Sequence, residues 1–108
     1  MTDKVLTYTT CSDVRTAEKL ATHLLQNRIA ACINVLPGVK SFYRWQGKVE
    51  TDAEVLLMIK TSRDLITEVR RVIEKLHDYD LPELIVVPIV GGSPDYLAWL
   101  ERELITTK

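Results

Sequence analysis

Apolar residues alternate with polar ones in some parts of the chain and recur with helical spacing in others, and these two periods predict its elements. Residues 4 to 10 alternate and are rich in β-forming side chains, so they predict a first strand. An apolar stripe from Val14 to Leu25, with a cap at Ser12 or Asp13, predicts a helix that runs to about Arg28. The chain therefore begins as a strand followed by a helix.

The middle of the chain predicts a long antiparallel ribbon. Its first strand begins at about Ala31 and is interrupted at Pro37–Gly38, where we expect a bulge or bend. Gln46–Gly47 predicts a tight turn, because glycine accepts positive φ. The return strand, residues 48 to 61, begins with alternating charges. It continues through the apolar residues 55 to 59, which we expect to be central in the sheet or buried on both faces.

The last part of the chain predicts a helix, a strand and a final helix. Residues 65 to 76 carry a second helical stripe, which must end before Pro82. Residues 83 to 90 predict a fourth strand, with Pro88 at a sheet edge or a bulge. Ser93–Pro94 is typical of a helix start, with serine as the cap and proline in the first turn.

This order of elements predicts the fold class. A βαββαβ order followed by an extra C-terminal helix is typical of an α+β fold, the ferredoxin-like sandwich with two helices on one face of an antiparallel sheet. The chain of 108 residues predicts one domain, residues 1 to 108.

The ribbon is too long for the helices of its own chain to cover. A return strand of 14 residues would reach roughly 48 Å, whereas the first helix would cover only about 24 Å. The uncovered half carries Phe42, Tyr43 and Trp45, and open aromatic surface is typical of an interaction site. We therefore expect these three residues to dock on another subunit of a closed oligomer.

Composition and charge narrow the classes of function. The apolar fraction is 46%, the charged fraction is 27% and the formal net charge is −1, with charges scattered along the chain. These values argue against a nucleic-acid partner and against a membrane partner. We also expect neither a signal peptide nor a membrane-spanning segment. Two cysteines do not make a disulfide framework, so we expect a reduced, cytoplasmic protein.

Cys11, Cys32 and His77 are the candidate metal ligands, because copper favours thiolate and imidazole. Their spacing matches neither CxxC nor a histidine pair at i, i+4. We expect Cys11 to be exposed in the loop after the first strand. Cys32 begins an apolar strand, where cysteine is often a small buried hydrophobe. His77 ends a helix, where the dipole also favours a cation, so structural roles stay open for all three.

Acidic residues form the other candidate chemistry. Glu50, Asp52 and Glu54 alternate on one face of the return strand, which would suit acid–base work but is more typical of a wet ribbon face or of cross-strand ion pairs. No Ser-His-Asp or Cys-His nucleophile can be recognised. The RNA-recognition class would need aromatic residues on the central strands, and an acylphosphatase-like enzyme would need an arginine-rich phosphate loop. The residues favour a binding or sensing module rather than an enzyme.

Several motifs run in a fixed order along almost the whole chain: Ala30–Asn34, Pro37–Gly38, Ser41–Glu50, Lys60–Thr61, His77–Glu83 and Tyr96–Trp99. In number, order and spacing they closely resemble the CutA family, the divalent-cation tolerance proteins. The resemblance implies a ferredoxin-like fold and a homotrimer assembled through the long hairpins, with an architecture similar to the PII signalling proteins. It also implies a connection to copper and other divalent cations, with no reaction firmly attached.

The chain departs from some members of this family at two positions. Thr9 stands near the strand end where some bacterial members carry a cysteine, and Cys11 is displaced by two residues. His77-Asp78 stands in place of a His-His or His-Pro pair. The copper site that the resemblance implies is therefore best matched at His77.

A second hypothesis is a PII-like trimer that binds a small anionic metabolite in the clefts between subunits. Ribbon and loop residues could meet in such a cleft: Glu50, Lys60, Tyr79 and Glu83.

Overall fold

The computed structural model describes residues 2–106. Its elements are β1 (Lys4–Cys11), α1 (Val14–Gln26), β2 (Cys32–Trp45), β3 (Lys48–Ser62), a 3-10 turn (Arg63–Leu65), α2 (Ile66–Leu76), β4 (Ile85–Pro88) and α3 (Pro94–Glu103). The predicted order of elements is confirmed. In the described part of the chain, no helix is long and apolar enough to cross a membrane.

The helix boundaries follow from local chemistry. Asp13 caps α1, because its side chain accepts a hydrogen bond from the Thr16 N–H at 2.7 Å. The helix ends two residues earlier than predicted, because Arg28 adopts a left-handed φ of 57° just beyond it. α2 begins after the 3-10 turn, and Pro94 occupies the first turn of α3 as expected.

The four strands form an antiparallel sheet in the order β2-β3-β1-β4. β3 is therefore central, as its apolar run predicts. Its alternate residues Leu57 and Ile59 are fully buried beneath α1 and α2. Leu56 and Met58 point to the opposite face and are only half-buried. Of the two outcomes that we expected for this run, the central position is the one observed, and the single chain buries only one face because α1 and α2 pack on the same side of the sheet.

The ribbon of β2 and β3 gives the molecule its long dimension. The molecule measures 44 Å along its longest axis, against 25 and 22 Å along the others. The predicted bulge is present, because the pairing register shifts between Leu36 and Val39. The predicted turn is also present, with positive φ at Gln46 and Gly47. At the tip, Phe42 is 66% exposed and Trp45 is 50% exposed.

The sheet face opposite α1 and α2, which we call the second face, has three zones. One end is covered by α3, where Lys60 Nζ donates to the Tyr96 hydroxyl at 3.3 Å and Lys4 Nζ to Glu101 at 2.6 Å. The middle is a central apolar patch, whose members the strand register places together: Tyr8, Leu36, Leu56, Met58, Ile85 and Val87. All six are half-buried or exposed. The far end carries the ribbon's acidic row.

Two buried hydroxyl groups in β1 lead to a stability prediction. Thr7 and Thr9 are fully buried, and among the described residues their hydroxyls have no hydrogen-bond partner. We expect Thr9→Val to raise the free energy of unfolding by about 1 kcal/mol, because valine keeps the shape and removes the uncompensated polar group. Urea unfolding measures the change.

Thr61→Val is the matched control. The Thr61 hydroxyl is also buried, but it donates to the Ile29 carbonyl at 2.6 Å. The same substitution should therefore lower the free energy of unfolding by about 1 kcal/mol. Shifts of the same sign in the two variants would contradict this explanation.

Candidate functional site

An acidic groove opens where the outer ribbon meets the segment that follows α2. It has a volume of about 730 Å³ and is lined from β1, β2, β3 and residues 78–83. Five of the lining residues are acidic and none is a lysine or arginine. The acidic residues are Asp52, Glu54, Asp78, Asp80 and Glu83. The surface is therefore one that attracts cations and repels anions.

Two tyrosines hold the carboxylates of the ribbon in place. The Tyr43 hydroxyl donates to Asp52 across the ribbon, and the Tyr79 hydroxyl donates to Glu54 Oε2 at 2.7 Å. The hydrogen bond to Asp52 raises the pKa of Tyr43 to about 12. Burial and the hydrogen bond to Glu54 raise the pKa of Tyr79 as well. Both phenols thus stay protonated and act as donors that orient the carboxylates.

Glu54 and Glu83 form a pair of like charges. Burial is the main cause that raises the pKa of Glu83, and the negative charge of Glu54 adds to it, while a hydrogen bond with Thr10 acts in the opposite direction. The raised pKa means that the groove disfavours the second negative charge. A cation placed between the two carboxylates would offset that repulsion.

His77 connects this segment to the sheet. Its side chain is fully buried. Nε2–H donates to the Thr10 carbonyl at 2.7 Å, and Nδ1 accepts from the Tyr79 N–H at 3.1 Å. A neutral ring in the Nε2–H form satisfies both nitrogens at once. The predicted role of His77 as a metal ligand stays a prediction, and it requires the ring to leave one of these bonds.

Cys11 is not the exposed loop residue that we expected. β1 continues through Cys11, whose side chain joins the core beneath the helices with no exposed surface. Burial, together with the charges of Asp78 and Asp13, raises the pKa of the thiol to about 12. At neutral pH Cys11 is therefore a protonated core residue rather than a ready thiolate ligand.

Cys32 lies at the other end of the sheet. It is half-buried, pairs with Lys60 and has its Sγ 3.9 Å from the Lys60 ammonium. Cys11 pairs with Val55, so the two cysteines are separated by five residues along β3, about 17 Å. One chain therefore brings Cys11 near the His77 segment but leaves Cys32 apart from both.

The four residues of the predicted ligand cleft are also separated from one another within one chain. Tyr79 and Glu83 line the groove, whereas Glu50 is not among its lining residues. Lys60 contacts Tyr96 at the end of the sheet that α3 covers, away from the groove. The four residues do not meet within one chain, and a meeting between subunits stays a prediction.

The acidic row is the wet face that we favoured, with Glu50 and Asp52 exposed and Glu54 half-buried. In residues 2–106 neither Asp52 nor Glu54 forms the alternative, a cross-strand ion pair. Their partners are tyrosine hydroxyls. The sequence feature that could have predicted the acidic groove is the acid-rich segment 78–83, because a second acidic run that follows a helix can fold against the first.

The fold and the site define a class: an α+β protein with a four-stranded antiparallel sheet, an extended ribbon and an acidic groove at the ribbon's outer half. The model of the CutA1 divalent ion tolerance protein family matches residues 5–103. The chain therefore belongs to the CutA1 family, and the resemblance predicted from its motifs is confirmed.

Individual relatives agree with this assignment. Divalent-cation tolerance protein CutA of Pectobacterium atrosepticum is 41% identical over 102 residues, which are 94% of this chain and 93% of that protein. The crystal structure of CutA from Xylella fastidiosa has a TM-score of 0.93 and 42% identity, and the match covers 96% of this chain and 100% of that one. Chloroplastic protein CutA of Arabidopsis thaliana is 42% identical over 98 residues, and here the chain spans only 54% of the relative's length, against 91% of its own.

Proposed function

We propose that this protein is a homotrimeric binding module of divalent-cation tolerance that takes up a divalent cation weakly in the acidic groove. The observation that carries the proposal is the pair of carboxylates in the groove, Glu54 and Glu83, where burial and then the negative charge of Glu54 raise the pKa of Glu83. Binding of a cation there would remove the repulsion and the cost of burying Glu83 as an anion. The name of the Pectobacterium relative, a divalent-cation tolerance protein, supports the same role.

The central apolar patch supports the trimer. Its middle members Leu56 and Met58 lie on the central strand without a helix above them. Contiguous apolar surface of this kind is typical of a subunit interface, and a closed ring satisfies the patch of every copy. At the ribbon tip Phe42 and Val49, 66% and 67% exposed, lie on the other face of the ribbon and form a second exposed apolar surface. The acidic groove would then open at the margin of the interface, in a PII-like arrangement.

Copper is the candidate cation, and the contacts of its expected ligands support weak binding. The His77 nitrogens are occupied by Thr10 and Tyr79, and the Cys11 thiol is buried and protonated. Across residues 2–106 no three acidic, histidine or cysteine side chains come together as a ready metal site. We therefore expect carboxylate oxygens to make the first contact, and His77 to join only if its ring is released.

The anionic-metabolite hypothesis receives less support. The groove carries five acidic residues and no basic one, so an anion would be repelled there. Lys60, the basic residue expected in such a cleft, contacts Tyr96 and Cys32 away from the groove. We favour binding over catalysis for this surface, and the cytoplasmic location stays a prediction.

A competition titration with Cu²⁺ tests the metal site. We expect binding that a chelator removes easily, weakened about tenfold or more in Glu83→Gln, because a neutral amide cannot replace the carboxylate. We also expect the affinity to fall as the pH falls through the raised pKa of Glu83, since a proton then competes with the metal.

His77→Asn and a variant lacking both cysteines separate the alternatives. Asparagine can still donate to the Thr10 carbonyl, so the segment should stay in place. If only the cysteine-free variant loses copper binding, the thiols rather than the groove carboxylates are the copper site. Equal affinity in the wild type, Glu83→Gln and both of these variants would exclude the groove as the metal site.

A further inference from the structure

Cys32 on β2 and Lys60 on β3 place a thiol and an amine side by side, away from the acidic groove. We propose that the two residues form a redox switch, in which a peroxide oxidises Cys32 and its sulfur then bonds covalently to Lys60 Nζ as a sulfenamide. This inference goes beyond the cation-tolerance role and does not depend on metal binding.

The geometry of the pair is the first argument. Cys32 and Lys60 are direct cross-strand partners, so their Cβ atoms lie about 4.5–5.5 Å apart on the same face of the sheet. The distance from Cys32 Sγ to Lys60 Nζ is 3.9 Å. Because the stem of lysine is long and flexible, Nζ can close the remaining gap without a movement of the backbone.

The surroundings of Lys60 are the second and independent argument. The lysine is half-buried, yet in residues 2–106 no carboxylate forms an ion pair with it. Its contacts are the Cys32 thiol and Tyr96, whose hydroxyl lies 3.3 Å from Nζ and whose ring centroid lies 5.5 Å from it. The amine is therefore held against the sulfur rather than against an acid, and it is the nucleophile that an oxidised Cys32 would meet.

The pair lies where α3 of the same chain covers the second face, and it belongs neither to the central apolar patch nor to the ribbon tip. Hydrogen peroxide is hardly larger than a water molecule, so the reaction needs access to a half-buried sulfur but no open groove. Cys11 offers the contrast within the same chain, because its side chain has no exposed surface and packs in the apolar core.

The chemical step balances with hydrogen peroxide as the only oxidant. The Cys32 thiolate attacks one peroxide oxygen and the O–O bond breaks. The departing hydroxide takes a proton from the Lys60 ammonium and becomes water, which leaves a sulfenic acid beside a neutral amine. The amine nitrogen then attacks the sulfenic sulfur, the S–O bond breaks, and the leaving hydroxide takes a proton from nitrogen to give a second water. The sulfur loses two electrons and the peroxide gains them.

The crosslink changes the contact between the sheet and α3 as well as the pair itself. A sulfenamide nitrogen carries no positive charge, so the cation–π contact of Lys60 with Tyr96 is lost and the hydrogen bond to the phenol weakens. Oxidation should therefore loosen α3, and hydrogen exchange in residues 94–103 should become about threefold faster.

Peptide mapping of the metal-free full chain by mass spectrometry, after treatment with hydrogen peroxide, tests the proposal. We expect a bridge between the Cys32 and Lys60 peptides that lacks two hydrogen atoms and that dithiothreitol converts back to the separate peptides. Alkylation of Cys32 after unfolding should fall about tenfold with peroxide and recover with reductant. Alkylation of the buried Cys11 should stay unchanged in the same samples.

Lys60→Arg is the matched variant, because arginine keeps the positive charge but stays protonated and cannot attack the sulfur. Its Cys32 should stop at the sulfenic acid, which dimedone traps, and exchange in α3 should no longer respond to peroxide. Sulfinic acid without a crosslink in the wild type, or a disulfide between Cys32 residues of two chains, would overturn the inference. Equal oxidation products in the wild type and in Lys60→Arg would do the same, whatever the outcome of the copper titration.

Discussion

Met58→Asp is expected to abolish the trimer that we propose. Met58 lies at the middle of the second face, on the central strand and within the central apolar patch. A carboxylate at this position would have to be buried without a partner in the interface, which costs several kcal/mol per chain. Because three copies are affected in each trimer, sedimentation velocity at micromolar concentration should show monomer or unfolded chain in place of trimer.

Thr67→Asp is the matched control. Thr67 lies on α2 and is exposed, so the same charge change there should leave both assembly and melting temperature unaltered. If Met58→Asp sediments like the wild type, the central apolar patch is not the interface. Retention of trimer only at high concentration would indicate a weaker interface in the same place, since dissociation would then be coupled to unfolding.

His77→Ala is expected to lower the free energy of unfolding by about 3 kcal/mol. The buried ring makes hydrogen bonds to both Thr10 and Tyr79, and its removal leaves a cavity and two unpaired backbone groups. Urea unfolding measures the loss. Hydrogen exchange should also show faster exchange in residues 78–83, because the ring is what connects this segment to β1.

His23→Ala provides the comparison within the same chain. His23 is exposed on α1, and the hydrogen bonds at this residue involve its backbone carbonyl rather than its ring. Its substitution should change the free energy of unfolding by less than about 0.5 kcal/mol. Equal effects at the two histidines would show that the bonds of His77 contribute nothing to stability, and the ring would then be free to act as a ligand.

The periodicity of the sequence predicted the helices and strands because each of them buries one face against another element of the same chain. The alternation in the return strand and the stripe of α1 both record one buried face, and the turn at Gln46–Gly47 is specified by local backbone requirements. For the apolar run of β3 we left two outcomes open, a central position or burial on both faces, and the structure has the central position. A continuously apolar run indicates that both faces of the strand are shielded from water. It does not indicate whether the second face packs against the same chain or against another subunit.

The chemistry of the site was harder to predict because it depends on contacts between distant residues. Whether Cys11 ends a strand or begins a loop differs by one position, yet that position decides between a buried thiol and an exposed ligand. The bond from Tyr79 to Glu54 joins residues that are 25 apart in the sequence, and no local pattern specifies it. The residue types were recognised as candidates, but their partners required the fold.

The bulge at Pro37–Gly38 allows the scaffold and the groove to vary independently. Pairing on the core side of the bulge is fixed by residues such as Val35 and Leu57, which pack beneath the helices. Beyond it, the strands keep their own register as far as the turn. A protein engineer could therefore lengthen, shorten or replace the outer ribbon by whole cross-strand pairs without moving a core side chain to the wrong face. In the same way, natural variation could change the ligand preference of this surface while the folded core stays as it is.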